Sequence, residues 1–305
     1  MQAGPGNWKL GFTMSLTTAV LWGLLPIALK VALTGMDAVT ITWWRFAVSM
    51  AGLGAFLAWR GQLPRLAGAG RTGWVLLAVA LAMLLANYVL YLVALDHTTP
   101  SVAQVVIQLA PLLLLLGGVF VFKERFAPSQ WLGFAVLAVG LLLFFNRRLP
   151  ELLRPAEGLG LGVLLMIVAA VAWAVYGLLQ KQLLRRFSAR QVLWLLYAGA
   201  TIALLPFSAP MLVRGLDGLQ LGMLGFCCAN TLVAYGAFGE ALHHWDVSRV
   251  SAVLSTAPLV TITAMWAIER MGLGLVPPEG LNALSTVGAL AVVAGSMVSA
   301  LAARR

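Results

Sequence analysis

Ser101–Arg125 reads SVAQVVIQLAPLLLLLGGVFVFKER. The run is apolar over roughly the length that crosses a bilayer as a helix. Within it Ser101, Gln104, Gln108 and Pro111 recur at i, i+3, i+7 and i+10, so they share one helical face. A polar side chain in hydrocarbon is costly unless it meets a partner or water. Proline adds to the demand, because its missing N–H leaves a carbonyl one turn back without a donor. Much later comes Ser248–Arg270, SRVSAVLSTAPLVTITAMWAIER, where Ser248, Ser251, Ser255 and Pro258 keep the same spacing. Both stretches close in Glu-Arg, at Glu124-Arg125 and Glu269-Arg270. A polar stripe ending in Ala-Pro, used twice, decides how the rest of the chain is read.

The surroundings of these stretches are apolar throughout. Of 305 residues, 61% are hydrophobic and only 10% are charged, and the mean hydropathy is +0.94. Soluble domains carry about 25% charged residues, so the expected class is an all-α polytopic membrane protein with lipid as its constant neighbour. The net charge of +10 then reflects basic loops. A nucleic-acid surface would need clustered bases on a soluble module, so no nucleic-acid partner is expected. Cys227 and Cys228 are adjacent within an apolar run, a poor arrangement for a structural disulfide. Only Lys9 precedes the first long apolar stretch, and no small-residue cleavage site follows a short apolar core, so the first span is read as uncleaved.

The apolar runs fit ten spans, near 11–32, 39–59, 73–94, 101–122, 129–146, 159–180, 191–207, 219–241, 250–268 and 282–302. The breaks between them are short and rich in turn-forming or charged residues, which leaves one transmembrane domain over 1–305. With the N-terminus in the cytoplasm, 13 of the 20 bases fall on the inner side. The other seven, Lys30, Arg45, Arg147, Arg148, Arg154, Arg214 and Arg270, are assigned to the outer side or to span ends. That bias favours both termini inside.

The halves repeat, over about 8–148 and 158–303. Gly11, Trp22 and Lys30 match Gly162, Trp173 and Lys181 at one offset. Tyr88, His97, Ser101 and Ala110-Pro111 match Tyr235, His244, Ser248 and Ala257-Pro258 at a second, and Gly133 and Gly140 match Gly288 and Gly295 at a third. An odd number of spans per unit forces the second copy to enter upside down. Two inverted five-helix repeats around a central cavity is the architecture of many secondary transporters, with the substrate site near the midplane.

These motifs resemble the drug/metabolite transporter superfamily, in its ten-helix EamA-type branch. The carrying residues are Leu21-Trp22-Gly23 with Lys30, the Gln-Leu-Ala-Pro run at 108–111, and Lys123-Glu124-Arg125 before Trp131-Leu132-Gly133. Their second-half forms are Trp173, Thr256-Ala257-Pro258 and Glu269-Arg270. Within the branch the chain looks most like bacterial inner-membrane exporters of aromatic and other apolar amino acids. The resemblance implies alternating access and a cavity lined by the first, third and fourth helices of each half.

Each candidate residue carries two readings. Trp22, Pro26 and Lys30 share a face, repeated by Trp173, Gly177 and Lys181, with Tyr176 on the same helix. They form either an aromatic wall with a flexible point or packing tryptophans and snorkelling lysines. Asn87, Tyr88, Tyr91, Asn230 and Tyr235 either bind the polar ends of a substrate or join helices by hydrogen bonds. Gln104 and Gln108 are the strongest cavity candidates, with Ser251 and Ser255 in the equivalent places. A serine can also satisfy itself on its own helix. Pro26, Pro111 and Pro258 are expected hinge points. Glu240, near His243 and His244, is either a proton carrier or a solvated boundary residue.

None of the ten acids falls in mid-span on these boundaries. Ion-driven carriers commonly use an intramembrane carboxylate, so uncoupled export is expected, and a cationic drug is disfavoured as cargo. No HExxH or Gly-x-Ser-x-Gly motif is present, and no enzyme, metal or cofactor is expected. The function read from the sequence is export of aromatic or apolar amino acids by a monomer in the inner membrane. Export of another neutral metabolite or drug is the alternative.

Overall fold

A computed structural model describes residues 7–64, 70–122, 127–152, 158–184, 186–245 and 247–302. Among these, every regular element is helical. In chain order they are α1 (Trp8–Ala32), α2 (Ala38–Trp59), α3 (Gly70–His97), α4 (Pro100–Val106), α5 (Leu109–Phe122), α6 (Pro128–Phe144), α7 (Leu149–Leu152), α8 (Gly158–Leu183), α9 (Ala189–Leu204), α10 (Gly218–His244), α11 (Val247–Leu254), α12 (Ala257–Arg270) and α13 (Ala283–Ala302). Helix is the form that satisfies every backbone group within one segment, as hydrocarbon requires. Among the described residues, eight helical segments are long and apolar enough to cross a membrane, with α11 and α12 together as one of them. The fourth apolar stretch is formed by α4 and α5 in succession, and the fifth by α6. The chain is therefore a multi-pass membrane protein. The Lys123-Glu124-Arg125 motif lies outside the described residues.

Short side chains start the helices. Asp37 accepts the Val39 and Thr40 N–H groups at 3.0 and 2.9 Å, and Ser188 and Asp217 form capping boxes with Gln191 and Gln220. Lys30 does not simply reach toward headgroups. Its Nζ donates to the Leu95 and Asp96 carbonyls at 2.7 and 2.8 Å, closing the C-terminal end of α3, where helical carbonyls lack partners.

The major helix contacts cross between the halves and are reciprocal. The first helix of each half packs on the third of the other, α1 on α10 and α8 on α3, while α2 packs on α9 and α6 on α13. Contacts repeat at the offsets found in the sequence. Gly11 meets the Trp245 ring, and its counterpart Gly162 meets Thr98 and the Ala94 carbonyl. Thr18 Oγ1 donates to the Ala234 carbonyl at 3.3 Å, and at the equivalent contact Asn87 Nδ2 donates to the Ala169 carbonyl at 2.9 Å. α2 and its counterpart α9 run antiparallel. Trp43, near the start of α2, donates from Nε1 to the Thr201 carbonyl near the end of α9, while Gly54 faces Trp194 near the start of α9.

The seam between α6 and α13 shows the same antiparallel pairing. Gly140 lies against Gly288, and Gly133 against Gly295, so each glycine meets the repeat counterpart of the other. A Cβ on Gly288 would stand 2.7 Å from the Gly140 oxygen, and one on Gly133 would stand 2.6 Å from the Gly295 oxygen. Small residues let helix backbones touch, which is how helices associate where the lipid is as apolar as the side chains. Gly288→Val should lower the melting temperature in detergent, with a stability loss of about 2 kcal/mol from overpacking. An unchanged melting curve would show that the backbones are not in contact.

Candidate functional site

The two stripe-bearing spans are broken, and the breaks sit where proline chemistry puts them. α4 stops at Val106 and α5 starts at Leu109, while α11 stops at Leu254 and α12 starts at Ala257. Pro111 and Pro258 cannot donate to the carbonyls of Ile107 and Leu254, four residues back, and their rings crowd that turn. The two breaks then meet across the molecule. Gln108 Nε2 donates to the Ser255 carbonyl at 2.8 Å. Ser255 Oγ in turn donates to the Ser251 carbonyl at 2.9 Å and lies 3.1 Å from Ser296 Oγ. α1, in contrast, runs unbroken through Pro26. Carbonyls near that proline are served from the other half instead: Asn230 Nδ2 donates to Leu21 and Thr261 Oγ1 to Gly23, each at 2.6 Å.

Several aromatic candidates also make contacts between the halves. Tyr88 and Tyr235, repeat counterparts, hydrogen-bond through their hydroxyls at 3.3 Å. Trp22 stands edge-on to Tyr235 with ring centroids 5.5 Å apart. Tyr91 donates to Gln104 Oε1 at 3.4 Å. Tyr176 is buried among Phe46, Tyr88 and Tyr197, with Trp173 packed against that cluster. Asn87 and Asn230 both join helices of opposite halves. Gln104 and Gln108 are only 7% and 8% exposed, so in this conformation the strip is closed to solvent rather than facing an open chamber. A separate cleft of about 290 Å³ at the end of α12, lined by Met265, Glu269 and Pro277 among others, involves none of these groups.

Two charged residues differ from their sequence assignment. Arg45, placed with the outer side and span ends, lies well inside α2 and is 4% exposed. Its Nε donates to Thr231 Oγ1 at 3.0 Å, and its guanidinium sits 4.7 Å from the centre of the Tyr88 ring. The signal was present in TITWWRFAVSM, since a base seven residues into an apolar span is by default functional. Glu279, in the loop before α13, is likewise 4% exposed. Its Oε1 accepts the Ser101 N–H at 2.9 Å, and its Oε2 has no partner among the described residues. The expectation that no buried carboxylate exists is therefore corrected: a loop residue supplies one by folding over the start of α4. Glu240 sits one turn inside α10 and pairs with His244 at 3.2 Å.

The EamA-like transporter family model matches residues 9–146 and 160–301, one segment for each half. The chain belongs to the EamA-like transporter family. Its relatives include an uncharacterized transporter of Haemophilus influenzae, 39% identical over 96% of this chain and 95% of the relative. The uncharacterized inner membrane transporter YhbE of Escherichia coli K12 is 40% identical over 97% and 92%. A probable amino-acid metabolite efflux pump of Salmonella typhimurium is 24% identical over 95% and 94%. A solved crystal structure shares the fold, with a TM-score of 0.62 and 20% identity over 97% of this chain and 98% of that one.

For an EamA-like transporter the Gln108–Ser255 bridge has a direct consequence: it joins the two halves at both helix breaks. Gln108→Leu keeps the volume and orphans the Ser255 carbonyl. It should lower stability by about 1 kcal/mol or more, seen as a lower melting temperature in detergent. Ser255→Ala should cost less, because its carbonyl stays in place.

Proposed function

We propose that this protein exports aromatic and apolar amino acids, such as Trp, Phe, Tyr, Met and Thr, across the bacterial inner membrane by alternating access. The observation that carries the reading is that amide, hydroxyl and aromatic groups of the two halves meet each other inside the molecule, at Gln108–Ser255 and at Tyr88–Tyr235. Trp22, Tyr88, Tyr91, Trp173, Tyr176 and Tyr235 offer faces to a greasy side chain. Gln104, Gln108, Asn87, Asn230, Ser251 and Ser255 offer donors and acceptors to its charged ends. The Salmonella relative's description as a probable amino-acid metabolite efflux pump supports the same class.

The halves act as inverted repeats, with both termini cytoplasmic, and a single chain is the working unit. The cycle rocks one half against the other, bending at Pro111 and Pro258, with Pro26 as a softer point in α1. Transport is uncoupled in this reading. A second reading, proton-coupled export of other small neutral metabolites or drugs, draws on Glu279, whose carboxyl is buried and only half partnered.

Uptake of labelled Trp, Phe, Tyr, Met and Thr into proteoliposomes, with and without a pH gradient, separates these. The expected result is saturable amino-acid uptake that a pH gradient changes less than twofold. Movement of unrelated dyes but no amino acid would end the first reading. A strong gradient effect abolished by Glu279→Gln would favour the second. Pro258→Ala should restore a donor to the Leu254 carbonyl and slow uptake about fivefold, as a shift of about 1 kcal/mol between conformations would. Unaltered uptake in both Pro111→Ala and Pro258→Ala would remove the hinge role.

A further inference from the structure

The geometry points to Arg45 as the receptor for a carboxylate, so that the cargo carries an anionic end held between the halves. The inference deepens the amino-acid reading and rests on transport through this seam. A guanidinium is poorly tolerated away from water unless paired and fully hydrogen-bonded. Arg45 is 4% exposed, yet among the described residues it has one hydrogen bond, from Nε to Thr231 Oγ1, and no carboxylate within ion-pair distance. The described acids nearest the relevant helices are engaged elsewhere: Asp37 and Asp217 cap α2 and α10, and Glu240 pairs with His244. The four N–H bonds of the two terminal nitrogens, the fork that grips a carboxylate with two parallel hydrogen bonds, are uncommitted.

Its surroundings are those of a binding site. The Tyr88 ring packs beneath the guanidinium, and the Tyr88 hydroxyl bonds that of Tyr235, so the arginine sits beside the contact between repeat counterparts. The Tyr197 hydroxyl, in the same packed cluster as Tyr88, is buried and has no hydrogen-bond partner among the described residues. The hydroxyl of Ser49, one turn further along the same face of α2, is in the same state. A carboxylate placed here would accept from groups that now have nothing to donate to.

The fold itself does not require the arginine. Counted from the helix caps Asp37 and Ser188, Leu196 holds in α9 the place that Arg45 holds in α2, and it is fully packed. The duplicated framework closes over leucine in one half and a cation in the other. That asymmetry puts the Arg45 charge on one side of the seam, suited to a zwitterion or a monocarboxylate and unsuited to a cation.

The test uses labelled L-phenylalanine uptake into proteoliposomes, with phenylacetate, phenylacetamide and phenethylamine as competitors. Wild type should be inhibited by phenylacetate about tenfold more strongly than by the amide, the range expected for a hydrogen bond to a charged group. Arg45→Gln should bring the two inhibitors level, and Arg45→Lys, which keeps the charge and loses the fork, should retain part of the preference. A packing role for Arg45 would not move this ratio. An Arg45→Gln protein that still prefers phenylacetate as strongly as wild type overturns the proposal while leaving amino-acid export intact. If wild type moves no phenylalanine, the amino-acid reading fails, and melting curves decide Arg45 separately. Stabilisation of wild type by phenylacetate, lost in Arg45→Gln, supports the carboxylate site. Stabilisation by chloride alone, or by no anion, overturns it.

Discussion

Inside hydrocarbon there is no water to take up an unpaired polar group, and much of this architecture follows from that constraint. The spans are helical because a helix closes its own backbone. Where proline prevents closure, at 111 and 258, the helix breaks and the exposed polar groups seek partners in the opposite half, as Gln108 does at the Ser255 carbonyl. Where α1 carries Pro26 without breaking, Asn230 and Thr261 bring donors to the neighbouring carbonyls. The same chemistry that weakens a helix locally thus ties the two halves together at their centre.

Duplication organises these ties. Thr18 on Ala234 and Asn87 on Ala169 are one contact made twice with different side chains, and the glycines of α6 lie on the repeat counterparts of each other in α13. Backbone geometry is kept between the copies while hydrogen-bonding chemistry drifts. Rigid, glycine-lined contact along α6 and α13 contrasts with polar, hydrogen-bonded contact at the broken helices. The rocking cycle proposed above would use both, a close-packed frame and a seam whose bonds can be exchanged.

Chemistry at the seam is less symmetric than the frame. Tyrosine meets tyrosine, but arginine has leucine as its counterpart, and the loop before α13 contributes the buried carboxylate of Glu279. Among the described residues, Arg45 stands as a buried cation beside the Tyr88–Tyr235 pair. The carboxylate role proposed for Arg45 would make that asymmetry the link between this fold and a cargo with one anionic and one apolar end.

Membrane class, the apolar helices, the duplication and the Gln108/Ser255 stripe itself were legible from sequence, because hydropathy and residue spacing are one-dimensional properties. Glycines 133, 140, 288 and 295 were also visible as a repeat, though not as partners. What the chain alone could not reveal was which polar groups meet. Arg45 looked like a span-end base and Glu279 a loop acid, since depth depends on how α2 and the final loop pack against residues far away in sequence. Asn87 and Tyr88 are neighbours on one helix, yet one joins α8 and the other reaches the central seam. Periodicity determined the helices and their repeat. Only tertiary packing decided which side chains lie on the shared axis, because that is set by contacts between segments more than a hundred residues apart.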